Sequence, residues 1–217
     1  ITKLTMAQIH ENQITCGDSI IKAFKEEEKQ HVLLLAQMQM GKSGTYWYVI
    51  LNMLFNKEIE NVILMSGNRE TELHQQVTED KTSYIKWFLD ESEVAGKVSV
   101  SKKNKLRNQF LKSIQILWGG QLNKKNKETF EIFDDTLIVW DEAHYAQSEN
   151  NAPYHFFEDN NLQTLLNGTK SHLETNIRLL TVSATPFSEL VSTSEEEGHK
   201  VIKLIPGVGY CGLDHYM

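Results

Sequence analysis

Short apolar runs rich in Val, Ile and Leu recur along the chain, and most of them lead into a turn and then a polar segment. Such runs are typical of buried strands in a parallel sheet. The pattern predicts six strands: HVLLLA at 31–36, NVILMS at 61–66, KVSVS at 97–101, IQILW at 114–118, TLIVWD at 136–141 and RLLTVSAT at 178–185.

Segments with apolar residues at helical spacing lie between these runs. From 44 to 57 the residues Trp47, Ile50, Leu51 and Leu54 predict a helix, and so a strand–helix–strand unit. Helices are also predicted over 70–89 and 157–166. The alternation predicts an α/β fold with a mostly parallel central sheet and helices on both faces. A length of 217 residues fits a single domain over 1–217.

Composition and cysteine usage are those of an ordinary globular protein. Hydrophobic residues make up 40% and charged residues 24%, and no apolar run reaches the roughly 18 residues that a membrane helix needs. Cys16 and Cys211 lie far apart and supply neither a disulfide framework nor a metal quartet. We therefore expect an intracellular protein, cytoplasmic or nuclear, that does not bind membranes.

Charge is distributed unevenly along the chain. A net charge of −7 argues against nucleic-acid binding by bulk electrostatics, although a local basic patch would be enough for a groove. Each basic run fits a solvated surface as well as a binding patch. The runs are Lys97, Lys102, Lys103, Lys105, Arg107 and Lys112, and Lys124, Lys125 and Lys127.

The segment AQMQMGKSG at 36–44 lies between a predicted strand and a predicted helix. It follows the phosphate-loop pattern G-x-x-x-x-G-K-[ST] except that Ala36 replaces the first glycine. Backbone N–H groups at the helix start would face phosphates, Lys42 would reach the β- and γ-phosphates, and Ser43 would hold Mg²⁺. The predicted nucleotide contacts of the loop are Gln39, Met40, Gly41, Lys42, Ser43 and Gly44.

Two adjacent carboxylates, Asp141 and Glu142, follow the predicted strand at 136–141. Phosphoryl transfer to water needs one carboxylate near Mg²⁺ and a second group that orients the attacking water. We predict that Asp141 takes the first role and Glu142 the second.

Taken in order, the motifs resemble the first RecA-like domain of a superfamily 2 helicase or translocase of the DEAH/DExH type. The phosphate loop is followed by L-x-x-Q at 73–76, D-E-x-H at 141–144 and S-A-T at 183–185. The resemblance implies a nucleic-acid-dependent ATPase that uses ATP and Mg²⁺. It implies that the catalytic residues are Lys42, Asp141 and Glu142, and that Ser43 and Asp141 bind the metal.

Other roles also come from the resemblance alone. His144 is expected at the ATP site, where it would act with Ser183 and Thr185 to link hydrolysis to the nucleic acid. An adenine-reading glutamine is usual upstream of the loop, and we favour Gln8 over Gln13 because it follows Leu4 and Thr5. Predicted nucleic-acid contacts are Ser66, Gly67, Asn68, Arg69, Gln76, Gly119, Gly120 and Gln121.

The sequence departs from the family in two ways. Gln39 stands where glycine is usual and Met38 where threonine is common, which leaves a weakened or degenerate site open. The second RecA-like domain, which supplies arginine fingers, is absent from these 217 residues, and the chain opens on Ile1. We therefore expect a piece of a longer protein with weak ATPase activity on its own.

Three functional classes remain open at this stage. A nucleic-acid motor explains all four motifs. A P-loop kinase or small NTPase explains the phosphate loop and the acidic strand end but neither S-A-T nor L-x-x-Q, and Gln39 would suit a nucleotide-locked interaction module. Phosphate contacts carry little base identity, so DNA is preferred to RNA only weakly.

Overall fold

The computed structural model describes residues 7–37, 40–66, 71–118, 132–141, 152–166, 176–184 and 198–207. Its helices are α1 (Glu11–Lys25), α2 (Lys42–Phe55), α3 (Thr71–Asp90), α4 (Val100–Ser113), α5 (Ala152–Asp159) and α6 (Gln163–Leu166), with a 3₁₀ turn at Ala95–Lys97. Its strands are β1 (His31–Leu35), β2 (Asn61–Ser66), β3 (Ile114–Trp118), β4 (Thr136–Asp141), β5 (Arg178–Ser183) and β6 (His199–Lys203).

These strands form one six-stranded sheet in the order β3-β2-β4-β5-β1-β6. Every neighbouring pair is parallel. The carboxyl ends therefore meet at one edge, where Ser66 of β2 lies beside Asp141 of β4 and Leu35 of β1 beside Ser183 of β5. In an open parallel sheet this carboxyl edge is where ligands bind.

Alternation along the strands divides the core into two layers. Val32 and Leu34 face the layer that holds the apolar sides of α1 to α4, in which Trp47 and Phe110 are fully buried. Ile138 and Trp140 face the opposite layer, with Phe157 of α5. Helices thus cover both faces, and the predicted α/β fold is confirmed.

The strand predicted at 97–101 is wrong. Lys97 ends the 3₁₀ turn, and Ser99 is the N-cap of α4, with its side chain accepting a hydrogen bond from the Lys102 N–H at 3.4 Å. The Val98-Ser99-Val100 alternation resembles a strand, but Val98 is buried while Val100 is 76% exposed. The serine cap and the polar helix-forming run after it decide the structure.

One further prediction needs correction. The helix predicted at 157–166 is two helices, α5 and α6, because Asn161 adopts a left-handed φ of 57° between them. The strand–helix–strand unit is present, but β4 and β5 lie between β1 and β2 in the sheet. The edge strand β6 was not predicted from the sequence.

Candidate nucleotide-binding site

A left-handed glycine ends the loop between β1 and α2. Gly41 is the residue before α2 and has φ 79° and ψ 33°, a region that disfavours a side chain. The first turn of α2 carries no acidic side chain. The free N–H groups and the dipole of a helix start favour an anion, so this local geometry suits a phosphate.

The structure brings together two of the predicted catalytic side chains. Lys42 Nζ lies 3.4 Å from Asp141 Oδ1, and the two side chains retain only 17% and 16% of their exposure. Lys42 is the first residue of α2 and Asp141 the last of β4, so separate elements supply the pair. Solvent and salt screen such a partly buried pair much less than a surface pair.

Tyr46 lies against the same site and was not predicted from the sequence. Burial raises the pKa of its phenol well above the usual value, and the Asp141 carboxylate raises it further, whereas a hydrogen bond with the Ser43 side chain acts in the opposite direction. The phenol is therefore neutral. The i, i+3 spacing of Ser43 and Tyr46 on α2 is the sequence signal that could have found it.

Gln13 of α1 packs directly on the phosphate loop. Its Nε2 donates to the Gly41 carbonyl at 2.7 Å, and its Oε1 accepts from the His10 N–H at 2.7 Å. A Cβ atom on Gly44 would lie 2.7 Å from both polar atoms of the Gln13 amide, and one on Gly41 would also collide with it. The buried Gln13 amide is thus committed to the loop backbone.

A cavity of about 940 Å³ opens beside the loop. The wall on one side is α1, with Met40 and Gly41 at the loop, and the other wall is the end of β6 and the residues that follow it. Gln8, which is exposed and precedes α1, lines the cavity, and so does Gln13. Both candidate glutamines therefore lie near the loop, and only Gln13 has its amide bonded to it.

Predicted nucleic-acid residues that the structure describes lie at the same edge of the sheet or next to it. Ser66 ends β2 beside Asp141, and Gln76 is exposed on α3. Ser183 ends β5, is buried, and accepts a backbone hydrogen bond from the Ala36 N–H at 3.0 Å. Ser183 is therefore in direct contact with the start of the phosphate loop.

Several predicted residues lie outside the described parts of the chain. They are Gln39, Gly67, Asn68, Arg69, Gly119, Gly120, Gln121, Glu142, His144 and Thr185.

The donor set suits Mg²⁺ better than a transition metal. Within the described residues no group of three or more His, Cys, Asp and Glu side chains forms a metal cage. Mg²⁺ is usually held by one or two protein oxygens together with substrate phosphates, and Ser43 and Asp141 are hard oxygen donors of that kind. Cys16, the cysteine within the described ranges, is buried, which raises the pKa of its thiol to about 11.

Fold and site together define a P-loop nucleotide-binding domain. A sequence model of DEAD/DEAH box helicases matches residues 15–193. The chain belongs to the DEAD/DEAH box helicase family. The family resemblance predicted from the motifs is thereby confirmed.

A solved ATPase core shares this fold. The Sulfolobus solfataricus SWI2/SNF2 ATPase core in complex with dsDNA matches 88% of this chain and 35% of its own length, with a TM-score of 0.50 and 14% identity. The Aeropyrum pernix Orc1 protein in complex with DNA matches 93% of this chain and 47% of its own, with a TM-score of 0.36 and 11% identity. The chain thus spans about a third of the first structure and about half of the second. No curated protein matches the sequence.

Among the helices of the described segments, none combines the length and the apolar character that crossing a bilayer would require.

Proposed function

We propose that this chain is the nucleotide-binding half of a nucleic-acid motor, which binds ATP with Mg²⁺ and hydrolyses it in response to a nucleic-acid strand. The observation that carries the proposal is the Lys42–Asp141 pair at 3.4 Å, beside the left-handed Gly41 at the start of α2. A lysine, a strand-end carboxylate and a helix start are the parts that P-loop phosphoryl transfer uses.

Each residue has a distinct role at this edge. Lys42 contacts the β- and γ-phosphates, and the backbone of Gln39, Met40, Gly41 and Gly44 surrounds them. Ser43 and Asp141 hold Mg²⁺, which neutralises phosphate charge when it is bound. The neutral Tyr46 phenol orients the Ser43 hydroxyl. Glu142, the residue after Asp141, orients the attacking water and accepts its proton, and His144 is a further proposed residue of the ATP site.

The cavity beside the loop is the proposed site of the adenine base. Its volume of about 940 Å³ lies at the upper end of the range for small-molecule sites. Because the Gln13 amide is bonded to the Gly41 and His10 backbones, Gln8 is the better candidate to read the base.

The carboxyl edge next to this site is the proposed nucleic-acid surface. Ser66, Gln76 and residues 67–69 and 119–120 contact the phosphate backbone, and Ser183 and Thr185 relay the state of the ATP site. Ser183 supports this role because its carbonyl bonds the first residue after β1. DNA is the preferred polymer, because the SWI2/SNF2 core that shares this fold was solved with dsDNA.

A second RecA-like domain completes the proposed motor. That domain would supply the arginine groups that contribute about 10³ to 10⁵ in rate. The partial coverage of the SWI2/SNF2 core supports this proposal, because this chain matches only 35% of the length of that ATPase core.

The test measures ATP binding and ATP hydrolysis separately, with single-stranded DNA, duplex DNA and RNA present in turn. Lys42→Ala removes a charge-assisted contact and lowers ATP affinity about 10- to 150-fold. Glu142→Gln retains ATP binding and lowers the hydrolysis rate about 10²- to 10⁴-fold. Lys86→Ala, an exposed lysine on α3, is the matched control and leaves both unchanged.

Two results would contradict the proposal. Transfer of phosphate to a small acceptor would identify a kinase, and tight ATP binding without turnover on any polymer, even after a second domain is supplied, would identify a degenerate site.

A further inference from the structure

Helix α4 differs in charge from the rest of the chain. It carries five Lys and Arg residues and no Asp or Glu in 14 residues. The whole chain has a net charge of −7, and the helix contributes +5, so the remaining residues carry −12. A cationic element in an anionic protein is a candidate surface for binding an anionic partner.

The inner side of α4 accounts for part of this charge. Phe110 is fully buried, and Lys103 and Arg107 contact the Asp90 carboxylate of α3 at 3.7 and 3.1 Å. Lys81 of α3 donates to the Leu111 carbonyl at 2.8 Å. These contacts fix the helix on the domain and leave its outer side uncovered.

The outer side of α4 holds the remaining lysines. Lys102, Lys105 and Lys112 are exposed, and in the described parts of the chain none of them forms an ion pair with a carboxylate. At a rise of 1.5 Å per residue the three span about 15 Å of the helix, which matches roughly four phosphates of one strand of B-DNA. Ser101, Asn108 and Gln109 are exposed polar residues on the same side of the helix.

The position of α4 separates this surface from the ATP site. Ser113 ends α4 and Ile114 begins β3 at the amino edge of the sheet, and Lys81 bonds the Ile114 carbonyl at 2.7 Å. Helix α4 runs antiparallel to α3, because Lys81 of α3 contacts Leu111 near the end of α4 whereas Asp90 contacts Lys103 and Arg107 nearer its start. Ser66 and Ser183 lie at the opposite, carboxyl edge.

We propose that the outer side of α4, formed by Lys102, Lys105 and Lys112 with Ser101, Asn108 and Gln109, is a second nucleic-acid contact that binds the phosphate backbone. Lysines with neutral amide and hydroxyl donors, on a helix without acidic residues, can contact phosphates without reading bases. The inference deepens the proposed function, on which it rests, because it adds an anchoring contact away from the strand-end loops.

The first test is the salt dependence of binding by the full chain to a short DNA duplex. The triple variant Lys102→Ala, Lys105→Ala, Lys112→Ala is expected to weaken binding at least about tenfold and to reduce the slope of log K against log salt by about 2.7. Alanine is the best helix former, so α4 remains folded.

The matched control changes three other exposed lysines, Lys22, Lys57 and Lys86, to alanine. It has the same change in net charge and retains the slope of the unmodified chain. Chemical acetylation with and without duplex, read by mass spectrometry, is expected to show protection at Lys102, Lys105 and Lys112.

The outcomes separate this inference from the proposed function. Equal loss in the two triple variants, no protection of the α4 lysines, or binding of phosphatidylserine vesicles in place of nucleic acid would overturn the α4 contact. Nucleotide binding that depends on Lys42 would persist in each of these cases, whereas loss of that dependence would refute the ATP site itself.

Discussion

At the scale of single residues, the contact of Gln13 with two glycines explains features of the phosphate loop that its motif leaves unexplained. Glycine is required at position 41 because the backbone there is left-handed. Gly44 lies within the regular helix α2, where glycine is normally unfavourable, but a side chain there would meet the Gln13 amide. Gly44 is therefore needed for the close approach of α1 to the loop.

Replacing Gln13 is expected to weaken nucleotide binding without changing base preference. Gln13→Ala leaves the Gly41 carbonyl without this partner, a loss of about 1–3 kcal/mol, or about 5- to 150-fold in affinity. ATP and GTP affinities should fall equally, whereas Gln8→Ala should lower ATP affinity alone. Titration of both nucleotides against each variant measures this difference.

A double-mutant cycle tests whether the contact between Gln13 and Gly44 is the cause of the lost nucleotide affinity. Gly44→Ala forces Gln13 away and should cost about as much as Gln13→Ala, and the double variant should cost little more than either one. Additive losses would show that the two residues act independently.

At the scale of elements, α4 is expected to depend on one aromatic side chain rather than on its ion pairs. Phe110 packs edge-on to Phe88 at 6.2 Å between ring centres, so Phe110→Ala should lower the free energy of unfolding by about 3–5 kcal/mol. Asp90→Ala removes two partly exposed ion pairs and should cost less than about 1 kcal/mol per pair. Urea unfolding measures the loss in each variant. A larger loss of unfolding free energy in Asp90→Ala than in Phe110→Ala would refute this account.

The elements also show which features of the fold a sequence can predict. Strands with long apolar runs, such as β2 and β4, are correctly predicted because burial on both faces excludes polar residues. Strand β6 reads HKVIK, and at the sheet edge its partly exposed positions tolerate lysine, so its pattern is weak. The start of α4 was mistaken for a strand because a serine cap and two valines alternate by chance.

At the scale of the whole molecule, a buried histidine links stability to pH. His31 is fully buried between His199, at 4.3 Å between ring centres, and the Thr181 hydroxyl, at 2.8 Å, and it also contacts the Leu165 backbone. Burial, with a further contribution from His199, lowers the pKa of His31 from 6.5 to about 3. The folded protein therefore holds this ring neutral over a range in which the unfolded chain protonates it.

The stabilisation is present above pH 6.5 and is lost as the pH falls toward 3, because the unfolded state then binds the extra proton. The slope from this group approaches about 1.4 kcal/mol per pH unit. Urea unfolding at pH 7 and pH 5 should show a smaller pH dependence in His31→Gln than in the unmodified chain. His155→Gln, on α5, is the control and should retain the full dependence; an unchanged slope in His31→Gln would contradict the prediction.

The arrangement of the site was predictable only in part from sequence. Lys42 and Asp141 follow from motifs, since a parallel sheet gathers the carboxyl ends of its strands at one edge. Gln13 and Tyr46 belong to none of the four motifs. Their roles depend on how α1 and α2 pack against the loop and against β4. Packing of that kind is fixed by the tertiary structure and leaves little periodic signal.

The strand order has a consequence for how the protein acquires its nucleotide site. β1 carries the phosphate loop, yet both of its neighbours, β5 and β6, come from residues 178–203. During synthesis the loop emerges long before the strands that hold it, so β1 has two unpaired edges until nearly the whole domain has been made. Pairings so distant in sequence form slowly, so we expect the loop to gain its shape late in folding.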